Sequence, residues 1–178
     1  MNLSIMNRTH PDHLVVFAHG KESGPWGTKI TQLAEVAKRR GYEVLSPDYS
    51  FTHDPKARLE HLLQLAPSAA KSLVLVGSSM GGYVSAMACA GLQPTALFLM
   101  APALYFPGWD EEPQDIPALT TVVHGWRDDI VPHERGRRFA ARHKAALHLL
   151  DSGHTLNDCV PMLSLLMDDL LRRAMESA

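Results

Sequence analysis

Gly77-Ser78-Ser79-Met80-Gly81 is the string in this chain best suited to chemistry. It follows an apolar run over 73–76 and opens an alanine-rich segment over 83–90, which predicts a strand, a tight turn and a helix with G-x-S-x-G on the turn. A serine hydroxyl is a poor nucleophile unless it is held out of the backbone toward a base. Glycines two residues to either side let the chain pass sharply beneath Ser79, where a β-carbon would collide with strand or helix. Ser78 does not fit the register, because it would put Val76 and Met80 where glycines are needed. The helix that follows aims its free N–H groups at the reaction centre.

Two later segments supply partners. His124-Gly125-Trp126-Arg127-Asp128-Asp129-Ile130-Val131-Pro132 follows an apolar strand over 120–123, and Asp151-Ser152-Gly153-His154 follows another over 146–150. Serine, acid and histidine thus occur in that order, each on a loop just after a strand. Chymotrypsin-like and subtilisin-like enzymes place the same groups in other orders. At this stage Asp128 and Asp129 both stand as possible acids.

These motifs resemble those of the α/β-hydrolase superfamily, and most closely the small bacterial serine hydrolases without a large lid, related to dienelactone hydrolases and short-chain carboxylesterases. The resemblance runs from about Leu14 to the C-terminal helix. It implies Ser79 as nucleophile, Asp128 as the acid of an H-G-x-x-D-x-x-V-P segment, and His154 as the base. The V-P placement favours Asp128 over Asp129. Val15-Val16-Phe17-Ala18-His19-Gly20-Lys21 looks like the family's oxyanion strand and H-G turn, and implies the backbone N–H groups of Met80 and Lys21 as oxyanion donors. Dienelactone hydrolases proper use a cysteine nucleophile where this chain has serine, so their substrate is not carried over. The activity implied is hydrolysis of a small-molecule carboxylic ester of short acyl chain through an acyl-enzyme, with no cofactor and no metal. A thioesterase or serine peptidase uses the same triad, and a non-catalytic binding protein on a hydrolase fold is the reading from a different class.

The elements that must position these groups alternate along the chain. Strands are expected over 14–18, 43–46, 72–77, 96–100, 120–124 and 146–150, mostly as continuous apolar runs of the kind found in parallel strands covered on both faces. Helical spacing appears at Ile30, Leu33, Ala34 and Ala37, at Leu59, Leu62, Leu63 and Ala66, and at Val160, Leu163, Met167, Leu170 and Ala174. The expected fold is α/β: a minimal six-stranded parallel sheet with helices on both faces and no large cap. The chain is expected to form one domain over 1–178, with an irregular segment over 1–13. Right-handed crossovers then bring the three loops to the carboxyl edge of the sheet.

The interval 102–119 contains Pro102, Pro107, Gly108, Pro113 and Pro117, which oppose a regular helix. Tyr105, Phe106 and Trp109 in that interval, and Trp26 and Trp126 beside the oxyanion and acid loops, are candidate pocket residues. His19 and His124 each precede a glycine at a strand end and read as turn-shaping residues. Arg135, Arg137, Arg138, Arg142 and Lys144 form a basic run with the pattern of a solvated helix face. The 178 residues are 46% hydrophobic with a net charge of −2, a balance that points away from disorder, nucleic acid and anionic membranes. Cys89 and Cys159 lie far apart, and Cys89 reads as a buried free thiol in a reducing compartment. No signal-like apolar region opens the chain, so a cytoplasmic location is the expectation.

Overall fold

The computed structural model describes residues 10–177. Six strands and five α-helices alternate except between β4 and β5: β1 His13–Ala18, α1 Thr28–Arg39, β2 Glu43–Leu45, α2 Pro55–Leu65, β3 Ser72–Ser78, α3 Met80–Leu92, β4 Ala96–Met100, β5 Leu119–Gly125, α4 His133–His143, β6 Ala146–Leu150 and α5 Val160–Glu176. All strand pairs are parallel, in the order β2-β1-β3-β4-β5-β6. The irregular segment expected over 1–13 lies mostly outside the described residues; His13, its last residue, instead begins β1 and pairs with Ser72.

Period-two alternation divides the apolar residues of the strands between two cores. Val15, Phe17, Val74, Val76, Phe98 and Val123 face α1 and α5, where Leu33, Ala37, Leu163, Met167 and Leu170 meet them. Leu14, Val16, Leu73, Leu75, Leu97, Leu99 and Val122 face the other way, onto Leu62 of α2, Tyr83 and Val84 of α3 and Phe139 of α4. Burying one such leucine or phenylalanine side chain contributes about 1.5–3 kcal/mol, which is why the middle of β3 and all of β4 are apolar, while the buried polar residues Ser72, Thr120, Thr121 and His124 sit toward the ends of β3 and β5. Helix α3 is buried from Met80 to Ala86 and again at Ala88 and Cys89, so its small, apolar sequence suits a helix covered on every side. Burial pushes the Cys89 thiol up to about 12.

Helix α2 is capped by Asp54, whose carboxylate accepts the Lys56 N–H, and begins at Pro55. It ends one residue earlier than the repeat through Ala66 suggests, because Ala66 takes the left-handed conformation, and Leu63 is exposed. From β1 the chain goes out to the edge strand β2 and then returns across β1 to β3. The crevice at the carboxyl ends of β1 and β3 is therefore the topological switch point, where ligand sites of such sheets lie. Between β4 and β5 there is no helix, only an irregular loop with one bridge between Phe106 and Trp109. Among the described residues no helix is long and apolar enough to cross a membrane.

Candidate active site

Ser79 sits between β3 and α3 with φ 54° and ψ −118°, a conformation rarely adopted by residues with a side chain. Its surroundings leave no alternative. A β-carbon on Gly77 would overlap the Gly81 carbonyl, and one on Gly81 would overlap the Ala18 carbonyl of β1. The Ser79 N–H donates to Met100 O at 2.9 Å, and its carbonyl accepts from Ala103 N at 2.9 Å, so β4 fixes the turn from the side. The hydroxyl is left facing the crevice.

His154 follows β6, and its Nε2 lies 3.0 Å from Ser79 Oγ. Its Nδ1 is 2.8 Å from Asp128 Oδ2. A carboxylate only accepts, so the ring proton sits on Nδ1 and the Nε2 lone pair faces the serine. The Asp128 side chain is fully buried. Its Oδ1 accepts the N–H groups of Ile130 at 3.0 Å and Val131 at 2.8 Å, while His124 Nε2 lies 3.1 Å from Oδ2. Asp129 is exposed and makes none of these contacts. Between the two carboxylates the sequence left open, geometry brings only Asp128 to His154.

His124 is itself buried, and Nε2 also reaches the Val131 carbonyl at 2.9 Å. With two acceptors before it, Nε2 carries the proton, and burial holds the ring neutral by lowering its pKa. Its Nδ1 fits against Gly136 of α4, where a β-carbon would clash. His124 thus braces Asp128 at the same Oδ2 that His154 meets, a role its place before a glycine does not announce.

Met80 is the first residue of α3, so its N–H has no intrahelical partner. Lys21 follows β1, and its N–H likewise meets no acceptor among the described residues. Both residues, with Ser79 and His154, line a cavity of about 850 Å³. Its volume lies in the range of small-molecule sites. Lys29 of α1 lines the same cavity and donates from Nζ to the Thr155 carbonyl at 2.6 Å, tying α1 to the histidine loop. Burial pulls its pKa down to about 8.

Of the five aromatic pocket candidates, Phe106 and Trp109 line the cavity, stacked with ring centroids 5.3 Å apart. The other three do not. Tyr105, at φ 59°, is not among the lining residues; its hydroxyl lies 2.9 Å from Glu112 Oε1 and its ring under Arg138. Trp26 is 51% exposed outside the cavity, and Trp126, 53% exposed, packs edge-on against His133. The basic run of α4 also departs from a plain solvated face. Arg135 donates to the carbonyls of Leu104 and Tyr105 and covers the Phe106 ring at 4.0 Å, so it fastens the loop that carries the cavity's aromatic wall. Among the described residues no group of three metal-ligating side chains converges.

Comparison with known proteins agrees with this architecture. A crystal structure of a hydrolase of the α/β superfamily from Xanthomonas campestris pv. campestris shares 34% identity at a TM-score of 0.82, covering 90% of this chain and 99% of its own. A second protein from Xanthomonas campestris, described as an α/β serine hydrolase without lid, shares 22% identity at a TM-score of 0.65, with 92% and 83% covered. Est1E from Butyrivibrio proteoclasticus shares 17% identity at a TM-score of 0.76, with 96% and 91% covered. These last two likenesses speak for the fold alone. No curated protein matches the chain. The family model described as alpha/beta hydrolase family matches residues 15–173, and with that match, a six-stranded parallel sheet and a serine turn at its switch point, the chain belongs to the α/β-hydrolase family.

Proposed function

We propose that this protein is a serine hydrolase that cleaves small-molecule carboxylic esters of short acyl chain through an acyl-enzyme, using its own side chains without a cofactor. The observation that carries the reading is the continuous path Ser79 Oγ–His154–Asp128, with spacings of 3.0 and 2.8 Å, beside a cavity also lined by Met80 and Lys21, whose backbone N–H groups meet no acceptor among the described residues. In this reading His154 Nε2 takes the Ser79 proton as Oγ attacks the ester carbonyl, and gives it to the departing alcohol. Asp128 holds the ring in the productive tautomer and balances the imidazolium. The N–H groups of Met80 and Lys21 receive the oxyanion. Water, activated by the same histidine, then releases the acid.

The short, helix-free loop between β4 and β5 supports small acyl groups. Each further methylene gains about 0.8 kcal/mol only if it leaves water, and Phe106 and Trp109 wall one side of the cavity without enclosing a tunnel. An aryl-ester series of rising acyl length, run after labelling with a fluorophosphonate probe, tests both parts. Labelling confined to Ser79 and a specificity constant peaking at about two to six acyl carbons are expected. An unlabelled protein sinks the serine-hydrolase reading. A specificity constant still climbing at ten carbons sinks the short-chain one. Better turnover of acyl thioesters or aminoacyl amides than of aryl esters would move the activity to a thioesterase or peptidase.

A further inference from the structure

Arg58 of α2 is completely buried, and among the described residues no carboxylate lies within 4 Å of its guanidinium. A buried cation without a counter-charge is costly, and burial lowers its pKa. What it binds instead is backbone. Nη1 donates to the carbonyls of His19 at 3.2 Å and Gly20 at 3.1 Å, Nη2 approaches that of Lys21 at 3.5 Å, and Nε donates to Thr52 O at 2.9 Å. One side chain therefore grips three successive carbonyls of the loop after β1.

His19 acts on the same peptide. Its Nε2 accepts the Tyr49 N–H at 2.9 Å, so the ring proton is on Nδ1, which donates to Gly20 O at 2.8 Å. Burial lowers its pKa, so the ring stays neutral and this tautomer persists. In a trans peptide the C=O and the following N–H point in opposite directions, and the chain has no cis bond among its described residues. Two donors hold the Gly20 carbonyl, so the Lys21 N–H points away from them, in a loop whose Gly20 and Lys21 both line the cavity. A β-carbon built on Gly20 would lie 3.6 Å from Ser79 Cβ, which measures how close this loop comes to the nucleophile.

We propose that Arg58 and His19 are positioning residues that set the oxyanion hole, by locking the Gly20–Lys21 peptide plane so that the Lys21 N–H faces the developing oxyanion. The proposal rests on the serine-hydrolase reading above. Arg58 does more than orient: a cation on the carbonyl side polarises the peptide and strengthens its N–H as a donor where negative charge appears. Helix α2 also packs on α3, whose first residue supplies the other donor, so one helix registers both halves of the hole. A neutral side chain of similar volume would fill the same space without the cost of burying charge, and the oxyanion accounts for the charge.

The test compares the parent with Arg58→Met, Arg58→Lys and His19→Gln. For each, the thermal midpoint, fluorophosphonate labelling, kcat and KM on a short aryl ester, and inhibition by a short alkyl trifluoromethyl ketone are measured; the ketone forms a tetrahedral oxyanion on Ser79. Loss of one oxyanion donor costs about 10²–10³ in kcat. Arg58→Met is expected to lose about that much, Arg58→Lys and His19→Gln about tenfold or more, with KM within about threefold. Ketone affinity should weaken in step with kcat, and guanidinium ions should restore part of the Arg58→Met loss. If Arg58→Met does not fold, Arg58→Lys and His19→Gln decide. Folded variants whose kcat and ketone affinity match the parent's overturn the proposal. So do variants whose losses follow KM or the thermal midpoint while ketone affinity stays put. A parent protein that fails to label at Ser79 overturns the underlying reading instead.

Discussion

At the floor of the cavity Ser79 is fixed by main chain: Gly77 and Gly81 lie so close to the Gly81 and Ala18 carbonyls that neither glycine could carry a β-carbon, and Met100 and Ala103 bond the turn on either side. At the rim Phe106 and Trp109 ride an irregular loop that two arginine side chains of α4 fasten from outside. Backbone crowding tolerates almost no substitution, so the floor should hold its geometry across changes elsewhere. Side-chain clamps can be exchanged singly, so the rim is the part that can be retuned.

The most severe way to break the floor without disturbing its shape is Ser79→Ala. It should fold with an unchanged thermal midpoint and lose roughly 10⁴–10⁶ in kcat; Ser78→Ala should keep most activity. A Ser79→Ala protein that turned over esters like the parent would remove the floor from the chemistry. Next comes Asp128→Asn, with an expected loss of about 10⁴ against a change of about threefold or less for exposed Asp129→Asn. Steady-state kinetics on one aryl ester ranks the two, and the reverse ranking would shift the acid by one residue.

Breaking the rim should be milder. Arg135→Ala removes two hydrogen bonds to the loop and the cover on Phe106. A cation–π contact contributes about 0.5–2 kcal/mol, so kcat/KM for aryl esters should fall about three- to tenfold, chiefly through KM. A loss carried by kcat instead would tie rim and floor together.

The smallest effect sharpens the boundary where the two regions meet, at Lys29. Its pKa in the folded chain is about 8 against an ordinary 10.5. Between those values the unfolded chain holds more protons, so this group makes stability rise as pH climbs from about 8 to 10.5. Below pH 8 its burial cost is fully present. Lys29→Met should remove that rise, visible as a flatter difference in denaturation midpoint between pH 8 and 10. An identical pH dependence in parent and variant would show that the ammonium is not desolvated.

How legible each part was follows the same division. The strands were readable because each is a short apolar run between turns, and Gly77, Ser79 and Gly81 because the turn admits few residue types. That Asp128 and His154 come to the same edge as Ser79 was readable because parallel topology brings successive strand ends there. Which aromatics line the cavity was not readable, since Tyr105, Phe106 and Trp109 lie on an irregular loop with no periodicity to assign their sides, and one of them, Tyr105, is left-handed. Nothing in the sequence sets Arg58 apart from the other polar residues beside the apolar repeat of Leu59, Leu62 and Leu63. Its partners, the His19 and Gly20 carbonyls, are close only once β1 and α2 have docked. His124 hid likewise, because its contact to Asp128 depends on the turn through Val131.

The helix-free passage from β4 to β5 has a kinetic corollary. Enzymes that cover their nucleophile with a hinged cap must open it, and at an oil–water boundary the opened form is trapped, so their rates jump once substrate exceeds its solubility. Here Phe106 and Trp109 are already part of the cavity wall, and their loop carries no helix to swing aside. Velocity should therefore follow dissolved ester concentration smoothly and level off at the solubility limit, with no step when droplets or micelles form and no lag at the start of turnover.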